Sequence, residues 1–201
     1  MRFLILLALL AAGCGSGRTR PALQDGDIIF HTSHSAQSVA IQHATGSRYS
    51  HMGLVIHRDG KPFVLEACAT VRRSPLDTWI ARGVGGHFVV KRIRDATRLL
   101  TPEGLARLRE EALRFEGLPY DLTFEWSDDR IYCSELVWKA YHRALGLDLG
   151  KLQRLREFKL DDPVVRAKLH ERYGDRVPLD EPVISPSAMY GSPLLVTVEQ
   201  R

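Results

Sequence analysis

Two apolar runs, Met52 to His57 and Pro62 to Ala67, flank the tetrapeptide Arg58-Asp59-Gly60-Lys61. Asp-Gly between such runs is among the strongest short-range signals for a β-hairpin closed by a two-residue turn, and a turn of that length fixes the register of both strands. Arg58 then pairs with Lys61, which sets Gly53 opposite Glu66 and His51 opposite Cys68. Because strand side chains alternate with period two, these four residues share one face. Glu66 becomes the diagonal neighbour of His51, roughly 7–8 Å away between backbones and within reach of a long carboxylate side chain. Gly53 leaves room for that reach. A loop one residue longer or shorter would put the imidazole and the carboxylate on opposite faces.

Around this hairpin the chain alternates short strands and helices. Gln24 to Phe30 reads as a turn leading into a strand, Ser35 to Thr45 as a short helix stopped by Gly46, and Phe88 to Ile93 as another strand. Thr101 caps a helix with Pro102 in its first position, running to about Glu116. Leu136, Val137, Ala140, Tyr141 and Leu145 form the buried face of a helix that Gly146 ends. A basic helical stretch covers Leu152 to Arg172 with interruptions, and Pro193 to Val198 closes as a strand. The 201 residues, 44% hydrophobic and 26% charged, suffice for one domain with its own core and exclude fibrous or wholly disordered chains. The pattern is α+β, with antiparallel strands and helices on one side. A net charge of +4, spread along the chain, gives no reason to expect a nucleic-acid partner.

The first residues, Met1-Arg2 and then Phe3 to Ala12, carry one positive charge and an apolar stretch too short to span a bilayer, the layout of a secretory signal. Leu10-Ala11-Ala12-Gly13-Cys14 resembles a bacterial lipobox, with Ala11 where leucine is commoner. The resemblance implies residues 1–13 as a lipoprotein signal peptide, a diacylated Cys14 as membrane anchor, residues 14–22 as a flexible tether, and 23–201 as the folded domain. Gly15 is not the aspartate that retains such proteins in the inner membrane. The expected location is therefore the bacterial cell envelope, at the outer membrane facing the periplasm.

Three cysteines are too few for a disulfide framework, so each is weighed alone. Cys133 stands where a polar loop turns into an amphipathic helix; peptide dipoles at a helix N-terminus favour a thiolate, although Asp128 and Asp129 oppose it. A nucleophilic thiol also needs a base, and the base a group that orients it. Each residue has an ordinary reading as well. A strand histidine is commonly a surface or core residue, Glu66 fits the solvent side of a half-buried strand, and Cys68 reads as a buried bystander. An exported chain would also permit a Cys68–Cys133 disulfide. His31, His34, His43, His51 and His57 crowd one region, but no acidic or cysteine partner completes a recognisable metal pattern, and no metal or cofactor is expected. Arg72, Arg73, Arg82, Lys91 and Arg92 read as a solvated face, or as a surface for an anionic lipid or a carboxylate.

Taken in order, Gly26-Asp27-Ile28-Ile29-Phe30, Ser50-His51-Met52-Gly53-Leu54-Val55, Leu65-Glu66-Ala67, Tyr132-Cys133-Ser134-Glu135-Leu136-Val137 and Ile184-Ser185-Pro186 resemble the YiiX-like permuted papain-like lipoproteins of the NlpC-like cysteine peptidase superfamily. The histidine precedes the cysteine, the reverse of ordinary papain-like enzymes and the order of the circularly permuted branch. The resemblance implies a circularly permuted papain-like fold, an antiparallel sheet or small barrel packed against the helix that bears the cysteine. It implies a thiol hydrolase with Cys133 as nucleophile, His51 as general base and Glu66 as its orienter. Tyr120, in Leu118-Pro119-Tyr120-Asp121, and the backbone at Ser134 would serve the oxyanion or the substrate. The substrate would be a cell-wall peptide, another amide, or an acyl-lipid, since the permuted branch is similar to lecithin-retinol acyltransferase-like enzymes. A non-catalytic peptide- or lipid-binding module is the other alternative, and the oligomeric state is left open. Val71 to His87, with Trp79 and Gly83-Val84-Gly85-Gly86, departs from the pattern and is expected to shape the pocket.

Overall fold

A computed structural model describes residues 22–201. The signal peptide and Cys14 lie outside the described residues, as does the tether up to residue 21. In chain order the elements are β1 (Ile28–His31), α1 (Ala36–Thr45), β2 (His51–Arg58), β3 (Lys61–Ala67), β4 (Val71–Pro75), α2 (Leu76–Ala81), β5 (Val89–Ile93), α3 (Ala96–Leu99), α4 (Pro102–Leu113), α5 (Cys133–Leu145), β6 (Gln153–Arg154), α6 (Pro163–Tyr173), β7 (Pro182–Val183), α7 (Pro186–Tyr190) and β8 (Leu195–Gln200). Six strands form one antiparallel sheet in the order β4-β3-β2-β1-β5-β8, and β6 pairs with β7.

The central hairpin closes as its turn chemistry requires. Asp59 and Gly60 both take positive φ, 51° and 73°, as a type I′ turn demands. Arg58 pairs with Lys61, and the ladder continues in step to Leu54 opposite Leu65. On the other side of β2, His51 pairs with His31, and on the far side of β3, Glu66 pairs with Arg72 and Val64 with Ser74.

Both faces of the sheet are buried. Met52, Leu54 and Ile56 point to a large core shared with Leu108 and Ala112 of α4 and with Leu136, Val137, Ala140 and Tyr141 of α5. The other residues of the same strands meet a smaller cluster of Ile29, Val55, Val64, Trp79, Phe88 and Val90. Burying side chains of this size contributes about 1.5–3 kcal/mol each. Helices were expected on one side only, yet α2 carries Trp79 into the smaller cluster, so both faces are covered. The chain entering β1 is tied to α5 by the Tyr141 hydroxyl, which donates to the Gly26 carbonyl, and Asp27, wholly buried, accepts both prongs of Arg92 at 2.6 and 2.7 Å.

Capping explains the helix boundaries. The Ser35 hydroxyl accepts from the Ser38 N–H at 3.1 Å to open α1, and Thr101 does the same for Gly104 at 3.2 Å at the start of α4. The expected basic helix from Leu152 to Arg172 is shorter. Asp162 accepts from the Val164 N–H at 2.8 Å with Pro163 in the first helical position, so α6 begins there. The residues before it make β6 and a 3₁₀ turn at Leu155–Glu157.

Candidate active site

β2 begins with His51 and β3 ends just past Glu66, and the hairpin register brings the two side chains together: His51 Nε2 lies 2.7 Å from Glu66 Oε2. Gly53 is required between them for a backbone reason. A Cβ there would lie 2.4 Å from Val64 Cγ1, 2.7 Å from the Leu65 carbonyl oxygen and 3.4 Å from Glu66 Cβ. The close approach of β2 to β3 thus requires glycine as much as the path of the carboxylate does.

Glu66 is 0% exposed, so it is not the solvent-facing residue that its neighbours in the strand would suggest. Its second oxygen accepts from the Ser74 hydroxyl at 2.6 Å and from the Arg82 guanidinium, while Arg72 Nε lies 3.8 Å away. Burial by itself would raise the carboxyl pKa. The hydrogen bond and charge of His51, with the bonds from Ser74 and Arg82, outweigh it and hold the group at about 2. Burial would likewise lower the His51 pKa, but hydrogen bonds to Cys133 and Glu66, with the negative charge of both, lift it to about 10. Nε2 is committed to Glu66, which leaves Nδ1 for the sulfur.

Beneath this imidazole lies an aromatic floor. The His31 ring stacks on Trp79 at 3.8 Å, and both neighbour His51, at 5.3 and 5.9 Å between centroids. Burial, reinforced by the charge on His51, drives the His31 pKa down to about 3, so this second histidine stays neutral and adds no competing charge.

Cys133 is the first residue of α5 and is 2% exposed. The end of its helix is pinned to the segment before α7. The Ile184 N–H donates to the Tyr132 hydroxyl at 3.1 Å, and the Ser134 hydroxyl donates to the Ile184 carbonyl at 2.8 Å. That accounts for Ile184-Ser185-Pro186, and it commits the Ser134 side chain to the backbone. Asp128, expected to oppose a thiolate, is instead held by Lys139 at 2.9 Å and by Arg143 at 2.8 Å. Lys139 also pairs with the buried Glu135 at 2.7 Å.

Cys133 lines an open cavity, continuous with solvent, that also touches Tyr120. Its exposed walls are apolar, formed by Ala40 and Ile41 of α1, Val165 and Leu169 of α6, and Phe124 and Ile184. Gln37 Nε2 donates to the Tyr120 hydroxyl at 2.8 Å, and Arg172 Nη2 donates to the Gln37 oxygen at 2.6 Å. The segment from Val71 to His87, expected to shape the pocket, forms β4, α2 and a 3₁₀ turn; none of its residues lines this cavity, and it supplies the Ser74, Trp79 and Arg82 side chains behind His51.

Cys68 is half-exposed rather than buried, its thiol directed at the Thr70 carbonyl at 3.5 Å, and both it and Cys133 are free. The basic residues do not make a common surface for an anion. Arg82 and Arg72 face Glu66, Arg73 forks onto Glu116 at 2.7 Å, Arg92 holds Asp27, and Lys91 donates to the Tyr190 carbonyl at 2.5 Å. The crowded histidines part in the same way. His43 meets Asp162 at 2.9 Å and His57 meets Asp25 at 2.7 Å, while His34 is exposed.

Residues 22–199 match the family model of the permuted papain-like amidases, YaeF/YiiX, family C92. An uncharacterized protein YiiX of Escherichia coli strain K12 is 50% identical over 175 residues, which are 87% of this chain and 85% of that protein. A crystal structure described as metalloprotein YiiX, from Escherichia coli O157:H7, is 49% identical with a TM-score of 0.86, covering 91% of this chain and 99% of that one. Among the described residues here, no three His, Cys, Asp or Glu side chains gather as a metal-binding set. The His-before-Cys order, the antiparallel sheet against α5 and these likenesses agree: the chain belongs to the YaeF/YiiX family of permuted papain-like cysteine amidases.

Proposed function

We propose that this chain hydrolyses an amide, or an ester, through Cys133 as nucleophile, His51 as general base and acid, and Glu66 as the group that orients the imidazole. The observation carrying the reading is the His51 ring held at 2.7 Å by a wholly buried carboxylate, with Cys133 close enough to raise the pKa of the imidazole. The sulfur attacks the carbonyl carbon, the imidazolium protonates the leaving amine or alcohol, and a thioester remains. Water, deprotonated by His51, then adds to the thioester and releases the acid and the thiol. The developing oxyanion has two kinds of donor within the cavity. One is the set of free N–H groups in the first turn of α5, including that of Ser134. The other is Tyr120, whose oxygen already accepts from Gln37 and whose own proton is therefore available.

The apolar walls of the cavity favour a substrate with an aliphatic acyl group over a bare polar peptide, because such walls gain nothing from polar side chains and lose their hydration to a chain of methylenes. An acylated amide or ester near a membrane also suits a chain anchored through a diacylated Cys14, which we place in the bacterial envelope, facing the periplasm from the outer membrane. The test is hydrolysis by the purified protein of N-acyl amides, phospholipids and cell-wall peptides, with Cys133→Ala beside it. The expected result is turnover of an acylated substrate that falls by at least about 10³-fold in the variant. Turnover unchanged by the substitution, or abolished by a chelator instead, overturns the thiol reading; cell-wall peptides cleaved in preference to acylated substrates overturn the acyl preference. Mass spectrometry of the membrane fraction that finds Cys14 without lipid removes the anchor.

A further inference from the structure

The carboxylate behind His51 is itself gripped from behind. Its two oxygens are used unequally: Oε2 faces His51 alone, and Oε1 receives both the Ser74 hydroxyl and the Arg82 guanidinium. Ser74 reaches it because β4 pairs Val64 with Ser74 and Glu66 with Arg72, which makes Ser74 the diagonal neighbour of Glu66 on one face. Arg82 reaches it because α2 ends at Ala81, directly over the smaller cluster. An isolated carboxylate against Val64 and Trp79 would be driven to its neutral form, and a neutral carboxyl would no longer stabilise an imidazolium.

We propose, resting on the Cys133–His51–Glu66 reading, that Ser74 and Arg82 are positioning residues: they hold Glu66 ionised and turned toward His51, and Arg82, its side chain 37% exposed, makes the line of sulfur, imidazolium, carboxylate and guanidinium electrically neutral. Without Arg82 that line carries a net negative charge in a low-dielectric site, and the least costly relief is to return a proton to the sulfur or to Glu66. Either event removes the activated nucleophile. The other groups facing this line are His31 from β1, neutral and stacked on Trp79, Arg72 from β4, half-exposed at 3.8 Å, His34 beside His31, and Tyr120 beside Cys133. Only Arg72 also faces Oε1, but at 3.8 Å it is beyond hydrogen-bond distance and its side chain is 53% exposed, so solvent screens it.

The experiment is the rate of alkylation of Cys133 by iodoacetamide against pH, read by mass spectrometry of the Cys133 peptide, with a melting curve for each variant. In Arg82→Met the acid limb of the profile moves up by about one pH unit or more, so that alkylation at a fixed pH on that limb slows about tenfold. Arg82→Lys recovers most of the loss, and Ser74→Ala shifts the limb less, in the same direction. Adding Arg82→Met to Glu66→Gln shifts the limb by much less than Arg82→Met alone, since most of the effect passes through the carboxylate. A lowered melting temperature with the wild-type limb in both Arg82→Met and Ser74→Ala overturns the proposal, because that is what a merely structural contact gives. A shift that adds in full on top of Glu66→Gln overturns it too, because Arg82 would then act on the sulfur directly. If the wild-type Cys133 alkylates like an ordinary free thiol across the whole range, the triad reading itself fails and this proposal falls with it.

Discussion

The two faces of the central sheet do different work from the same strands. The face under α4 and α5 is a large apolar core in which polar atoms are few and Cys133 is simply the first residue of a well-packed helix. The face under α2 has six buried apolar residues and, beside them, His31, His51, Glu66, Ser74 and Arg82 joined by rings and hydrogen bonds. The proposed nucleophile is thus delivered by ordinary hydrophobic packing, while the proposed base is delivered by an electrostatic network. The smaller face can be damaged in its chemistry and its stability at once, and the larger face, away from Cys133, in stability alone.

Paired substitutions give the largest test of that division. Trp79→Ala, on the smaller face, is expected to cost about 3–5 kcal/mol in urea unfolding and to slow Cys133 alkylation, because the floor beneath His31 and His51 is lost. Leu108→Ala, 1% exposed on α4, is expected to cost about 2–5 kcal/mol and leave the alkylation profile where it was. Equal effects of the two on alkylation would erase the distinction.

A smaller effect follows from pH. Glu66 is held at about 2 against an ordinary 4.5, so its contribution is complete above pH 4.5 and is lost as the pH falls toward 2. His51 is lifted to about 10 from 6.5, so its contribution is complete below pH 6.5 and is lost as the pH rises through 10. The stability difference between wild type and Glu66→Gln should therefore be greatest between pH 4.5 and 6.5, on the order of 2–3 kcal/mol, and shrink on both sides. A difference constant from pH 3 to 9 would mean that the network carries no linked charge. The smallest expected change lies far from both faces: Ser35→Ala removes the cap of α1 and should cost about 1 kcal/mol in the same urea titration, with the alkylation limb unmoved.

What could be read from the sequence was what local chemistry decides. Asp59-Gly60 dictates a turn, the turn dictates register, and register alone brings His51 to Glu66. Ser35, Thr101, Gly46 and Gly146 mark helix ends for equally local reasons. The back of the network was not legible. Ser74 sits in Val71-Arg72-Arg73-Ser74-Pro75, which lacks the apolar alternation of a strand, and its neighbour relation to Glu66 exists only once β4 has paired. Arg82 looked like one surface arginine among several, because its meeting with Glu66 depends on where α2 lies across the sheet. His31 gave the opposite problem: spaced like a metal ligand before His34, it is instead stacked on Trp79, and no local pattern tells stacking from ligation.

The order of the motifs along the chain has a consequence for assembly. The bonds among His51, Glu66, Ser74 and Arg82 span sequence separations of 15, 8 and 16, whereas the hydroxyl that fastens α5 to the entry of the first strand spans 115. Closing the longer loop costs about 2 kcal/mol more chain entropy. The contacts around His51 therefore close over short loops, and the sulfur meets them only across a long one. In a chain made from its N-terminus, His51 and Glu66 are both synthesised before Cys133.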